Sequence, residues 1–170
     1  VEIRLDQQHI EVHKFYAGVT AGTVLLALVL QAFLPLHFRW ASYLELTLLV
    51  TIYFALSRRN PSSGLLLGMA VGLAQDSLGH TPLGLYGIAK TVVGFFAASF
   101  GSRIDVEHPV SRFLLTLLFF YLHNFVFVLV QRLLLAQREP FFTPALLISS
   151  LANATLALVL FPLLDRLRKS

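Results

Sequence analysis

Residues 60–101, NPSSGLLLGMAVGLAQDSLGHTPLGLYGIAKTVVGFFAASFG, read as two membrane helices joined by a tight turn, around which the rest of the chain is expected to arrange itself. Gly64, Gly68 and Gly72 recur every four residues, which places them on one helix face and lets a neighbouring backbone approach closely. The next step of four lands on Asp76. A carboxylate on the packing stripe of a membrane helix points into protein, because facing lipid is costly. At the turn, Gly79 is expected to take the left-handed conformation that ends the first helix, Thr81 to cap the second, and Pro82 to occupy its first turn. In the second helix Gly84, Gly87, Lys90, Gly94, Ala98 and Gly101 follow at spacings of three and four, so the one lysine inside a predicted span shares the small-residue face. Asp76 and Lys90 then line one seam, and the lysine stem can reach back toward the turn.

The wider composition is that of a polytopic membrane protein: of 170 residues, 56% are hydrophobic and 13% charged. The fold class expected is all-α, a single bundle of six transmembrane helices. The absence of cysteine excludes disulfides and thiolate metal sites. The net charge of +4 is dispersed over loops, with no basic stripe among aromatics, and points to membrane topology rather than to nucleic acid. The chain opens on Val1 and is read as starting inside a longer natural chain.

Residues 1–14 form a polar, cytoplasmic lead-in, and residues 15–36 an apolar run too long for a signal-peptide core, hence a retained first span. Gly18 and Gly22 give that span a small-xxx-small pair, Pro35 and Arg39 mark its turn, and Trp40 and Tyr43 suit the headgroup level. The second span, 40–56, carries Glu45 near its start and is stopped by Arg58, Arg59, Asn60 and Pro61. The hairpin supplies spans three and four. The fifth span covers 113–135 with Asn124 at its middle, and the sixth 142–164 with Ser149, Ser150, Asn153 and Ala157 as a small polar stripe. The membrane domain is thus 15–164, followed by a short cytoplasmic tail, 165–170. Nine of the thirteen Lys and Arg residues fall in the two termini and the loops after spans two and four, three fall in the opposite loops, and Lys90 lies within a span. The positive-inside rule then makes both termini cytoplasmic. Gln31, Glu45, Asp76, Lys90, Gln131 and Arg132 fall in the outer half of the membrane, His80 on the outer turn, and Asn124 and Asn153 near the midplane.

Two readings of Asp76 and Lys90 stand side by side: a ligand or partner site, and a structural ion pair pinning two close-packed helices. Glu45 and Arg132, near span ends, are expected to snorkel to the interface. Asn124 and Asn153 are expected to make interhelical hydrogen bonds worth about 0.6 kcal/mol each. His123 is the one histidine inside a span and no serine stands in a Gly-x-Ser-x-Gly setting, so neither an intramembrane protease nor an esterase is expected. His9 and His13 have the i, i+4 spacing of metal ligands without a third, and no Walker-type phosphate loop occurs. No metal, cofactor or catalysis is expected.

At residues 72–84, GLAQDSLGHTPLG, the chain resembles the signature hairpin of the rod shape-determining protein MreD family. The end of the preceding span, Tyr53, Phe54, Ala55 and Leu56, and the Arg58-Arg59 loop are similar as well. The resemblance covers residues 40–101 by motif and the last two spans by composition. It implies a non-enzymatic component of the bacterial inner membrane, working in the cell-elongation machinery that builds peptidoglycan. Such a component binds the single-pass protein MreC directly and is linked through it to MreB, the RodA glycosyltransferase and the elongation transpeptidase. The family is also distantly similar to the S-components of vitamin (ECF) transporters, six-helix bundles with an outward-facing site. Two functions follow as expectations. In the first, the hairpin packs through Gly64, Gly68, Gly72, Gly87 and Gly94, is pinned through Asp76, and offers a groove or lateral face to the MreC helix. In the second, Glu45, Asp76 and Lys90 line an outer pocket for a small, vitamin-like solute. Membrane lipids surround either one.

Overall fold

Three of the apolar runs are started by the same device, a capping side chain followed by proline. Asn60 accepts from the Ser62 and Ser63 amides, His108 from Val110 and Thr143 from Leu146, with Pro61, Pro109 and Pro144 opening the helices behind them. The computed structural model describes residues 16–104 and 106–167. Its helices are α1 (Ala17–His37), α2 (Leu46–Arg58), α3 (Pro61–Leu78), α4 (Leu85–Gly101), α5 (Pro109–Leu135) and α6 (Pro144–Asp165), with a 3-10 turn, Arg39–Tyr43, between the first two. The lead-in with His9 and His13, and residues 168–170 of the tail, lie outside the described residues. α1, α5 and α6 are each long and apolar enough to cross a membrane, while α2 and α4 are shorter apolar helices. The chain is an all-helical, polytopic membrane bundle.

The helices run alternately up and down. The turns at 38–45, 79–84 and 136–143 gather at one end, here the Glu45 end, and those at 59–60 and 102–108 at the other, the Arg58 end. α2 occupies the centre, packed against all five other helices and buried from Thr47 to Ser57. Leu48, Leu49, Ile52, Phe54 and Ala55 are wholly covered, as suits a helix that is apolar on every side. The others form an open ring around it in the order α1, α3, α4, α5, α6. α1 and α6 do not touch, and the 3-10 turn, packed on both, closes the gap at the Glu45 end.

Within the ring, α3 and α4 make the closest approach. A Cβ built at Gly64 would overlap the Gly94 carbonyl, one at Gly68 the Lys90 carbonyl, and one at Gly72 the Tyr86 carbonyl. Gly94 meets the Gly64 carbonyl in return, and Gly87 faces the side chain of Leu73. Gly18 and Gly22 of α1, in contrast, have nothing within 4 Å, so that pair faces outward.

The Arg58 end is clamped by polar and charged side chains from α1, α2, α3, α5 and α6. Arg112 donates to Asp165 at 2.6 Å and to the Val106 carbonyl at 2.9 Å, and the Tyr53 hydroxyl reaches Asp165 at 2.8 Å. Arg58 donates to Thr20 of α1 and Ser63 of α3.

Several expected boundaries move. Pro35 lies inside α1, and the second helix starts at Leu46 because residues 39–43 coil into the 3-10 turn. Gly79 has a φ of −86°, so it is not the left-handed residue of the hairpin; His80, at 53°, and Gly84, at 106°, are. Thr81 and Pro82 precede α4, and its N-cap is Gly84, which has no side chain to cap with. That deficit shapes the site.

Candidate functional site

Of the helices that begin at the Glu45 end, α2 and α4 fall short of the bilayer. At 1.5 Å per residue the 13 residues of α2 span only about 20 Å, and the 17 of α4 about 26 Å, against a hydrocarbon core of about 30 Å. Both begin at the Glu45 end, so their first amides open inside the protein instead of at its surface. Helix N-termini leave unbonded N–H groups, which are costly away from water. Polar side chains from other helices supply the acceptors.

Asp76, at the end of α3, does this for α4. Its Oδ1 accepts from the Thr81 hydroxyl at 2.9 Å and the Tyr86 amide at 3.1 Å, and its Oδ2 from the amides of Gly84 at 2.9 Å and Gly87 at 3.0 Å. Four donors surround one buried carboxylate, which also sits at the positive end of the helix dipole. For α2 the acceptor is Gln31 of α1, whose Oε1 takes the Leu46 amide at 2.7 Å while its Nε2 donates to the Leu44 carbonyl at 2.9 Å. Asn153 of α6 holds the same junction from the other side, accepting from the Glu45 amide and donating to the Tyr43 carbonyl, each at 2.8 Å. Gln75 accepts from Thr47 at 2.7 Å and ties α3 to α2.

Lys90 does not pair with Asp76. Its ammonium lies 3.4 Å from Glu45 and 4.8 Å above the Tyr86 ring, one turn back along α4. The lysine is fully buried, and the Glu45 side chain is 19% exposed, so Glu45 is an ion-pair partner between α2 and α4 rather than a snorkelling interfacial residue. Arg132, by contrast, lies over Phe141 and donates to the Glu139 carbonyl, and Asn124 bonds the Phe141 carbonyl in the α5–α6 loop instead of a neighbouring helix. Tyr86 stacks on His123 with centroids 5.8 Å apart, and the His123 Nε2 is buried without a hydrogen-bond partner among the described residues.

Two cavities open on either side of Glu45 and Tyr86. The larger, about 590 Å³, lies toward α1 and α3 and is lined by Gln31, Ser42, Glu45, Gln75, Thr81 and Tyr86 over an apolar wall from α1. The smaller, about 240 Å³, lies toward α5 and α6 and includes Glu45, Tyr86, His123, Asn124 and Ser149. Asp76 and Lys90 line neither. The three charges expected in one pocket are therefore divided: Glu45 faces the cavities, while Asp76 and Lys90 lie behind the wall.

A family model described as rod shape-determining protein MreD matches residues 13–167. The chain belongs to the MreD family. Searches of curated proteins and of solved structures returned no match. As an MreD-family protein the chain is a rod shape-determining membrane protein. Among the described residues no group of three metal-ligating side chains occurs.

In this MreD-family chain the sequence pattern drew attention to Glu45, Asp76 and Lys90; the structure brings Gln31, His123 and Asn153, noted in the sequence only as isolated polar residues, around them and adds Gln75 and Tyr86. Gln75 had a usable signal, since it falls three residues after Gly72 on the same helix face. The Arg112 to Asp165 clamp had none, because the two residues are 53 positions apart and each reads as a loop charge.

Proposed function

We propose that the protein is a non-catalytic scaffold of the bacterial inner membrane that holds the cell-elongation machinery together by binding MreC, with RodA, the elongation transpeptidase and MreB in the same assembly. The observation that carries this reading is the family match over nearly the whole chain. The geometry agrees with it, since Asp76, Lys90, Gln31 and Asn153 are each engaged in holding the bundle's own backbone or charges. Both termini are assigned to the cytoplasm from the distribution of Lys and Arg, which puts the Glu45 end outside. The glycine seam is occupied by α4, so the MreC helix takes a lateral face of the hairpin, where Leu66, Met69 and Leu73 of α3 are exposed at helical spacing. The test is extraction in mild detergent: MreC leaves the membrane with this chain in fixed stoichiometry, and Leu66→Arg with Met69→Arg releases it while the bundle stays folded. Failure of MreC to accompany the folded chain overturns the proposal.

The 590 Å³ cavity favours a second reading, binding of a small solute as in the S-components of vitamin transporters. Its carboxylate is Glu45. A vitamin-like solute that raises the melting temperature of the wild type but not of Glu45→Gln would put this reading first.

A further inference from the structure

Gln75 carries a hydrogen-bonding group that the bundle does not use. The residue is 8% exposed; the Thr47 hydroxyl donates to its Oε1 at 2.7 Å, and its Nε2 has no partner among the described residues. That nitrogen is not sealed in, because the sealed side-chain atoms without a partner among those residues are the Arg59 Nε and the His123 Nε2. It opens into the 590 Å³ cavity that Gln75 lines between α1 and α3. A donor left unbonded on so covered a side chain is costly unless an occupant of the cavity accepts from it.

Two more polar atoms of the same lining are free. The Tyr86 hydroxyl bonds nothing among the described residues, and Glu45, whose Oε2 meets the Lys90 ammonium at 3.4 Å, keeps its Oε1. Two donors and an acceptor thus serve one space. Its charge is already balanced. Glu45 is the one carboxylate in the lining, Lys90 matches it from behind the wall, and neither Lys nor Arg lines the cavity. An anionic ligand would meet that carboxylate without a cation in the lining, and a cationic one would compete with Lys90 for it. An uncharged head with a carbonyl to accept and a hydroxyl to donate satisfies all three atoms.

The rest of this one cavity is apolar. Leu28, Ala32, Pro35 and Leu36 of α1 form a side of it, and Leu78 of α3 joins them. Leu36 is 75% exposed and Leu78 54%, so the apolar lining continues onto the outer surface of the bundle. The volume falls within the range of small-molecule sites, about 300–1,000 Å³, and a few placed polar groups on a mostly apolar lining are the usual make-up of one. Polar atoms inside and leucines at the mouth suit a molecule with a polar head and an apolar tail.

We propose that the cavity between α1 and α3 holds the uncharged glycerol ester head of a membrane lipid, with Gln75 and Tyr86 donating to its oxygens, Glu45 accepting from a hydroxyl, and the acyl chain passing out by Leu36 and Leu78. The ligand is thereby membrane-borne, in place of the soluble solute of the second reading. Purified protein in neutral detergent is titrated with three probes: monooleoylglycerol; oleoyl lysophosphatidic acid, which adds a phosphate to the same head and chain; and monoacetin, which keeps the head and lacks the chain. Melting temperature and the molecules retained in native mass spectrometry are read. Monooleoylglycerol is expected to raise the melting temperature and stay bound, and the other two are not. Tyr86→Phe keeps the ring stack on His123 and removes the hydroxyl alone, so retention should fall about 5-fold. Ala32→Phe fills the apolar side of the cavity and should abolish retention. No retention of monooleoylglycerol, equal retention of the lysophosphatidic acid, or unchanged retention in either variant overturns the site; equal stabilisation by monoacetin overturns the lipid and returns the cavity to a soluble solute.

Discussion

Asp76 caps a helix to which it does not belong: its Oδ2 stands 3.0 Å from the Gly87 amide, three residues into α4. The acid at the end of α3 thereby does for α4 what the glycine at its N-cap, Gly84, cannot. This relationship explains why a carboxylate is tolerated inside a membrane bundle. The first amides of α4 open inside the bundle, and the carboxylate satisfies them.

Asp76→Asn should destabilise the bundle by about 1–3 kcal/mol. An amide retains one acceptor oxygen but turns an N–H₂ group toward two of the four donors, and it removes the charge from the helix dipole. Thermal unfolding in detergent measures the loss, and Asp76→Ala should exceed it. Equal stability of Asp76→Asn and wild type would sink the capping account.

Gly68→Leu should force α3 and α4 apart, since even a Cβ there meets the Lys90 carbonyl, which is backbone and cannot swing aside. Gly22→Leu serves as the control, because nothing lies within 4 Å of that position. Folded yield after size-exclusion chromatography should collapse for the first and hold for the second.

Glu45→Gln should cost about 3–5 kcal/mol, because it leaves the fully buried Lys90 ammonium without its partner, and Lys90→Met should cost less, because Glu45 faces the cavities. Combined, they should cost much less than the sum of the two, since the pair is then replaced as a unit. A double-mutant cycle on melting curves reads the coupling; additive losses would mean that the 3.4 Å pair contributes nothing as a pair.

The orientation assigned to the bundle is accessible to thiol labelling, as the chain has no native cysteine. Ser62→Cys at the Arg58 end spares the Asn60 cap, and Leu83→Cys at the Glu45 end replaces a residue that is 74% exposed. A membrane-impermeant maleimide added to intact spheroplasts should label position 83 and leave position 62 unmodified until lysis. The reverse pattern would invert the topology and place both cavities on the cytoplasmic side.

The number of helices was legible because apolar run length is a local signal, as is the Asn60-Pro61 pair; the equivalent pairs at 108–109 and 143–144 start α5 and α6 at 109 and 144 where run length alone had put 113 and 142. Helix geometry alone also placed Gly64, Gly68, Gly72 and Asp76 on one face. The hairpin turn was misjudged at Gly79 because the chain spends its left-handed conformations on His80 and Gly84, a choice set by where the Asp76 carboxylate must meet the α4 amides.

Sequence by itself determined that this is a six-helix membrane protein of the MreD family, since hydropathy, punctuation and a short motif are written along the chain. Only the tertiary structure decided that α2, not the hairpin, stands at the centre, and that Lys90 turns to Glu45 while Asp76 turns to backbone. The reason is physical. A buried charge takes whichever complementary group the packing brings within hydrogen-bond reach, and helices that stop short of the membrane surface bring their own unbonded amides inside. Neither the depth of a helix start nor the neighbour across a seam is encoded in local spacing.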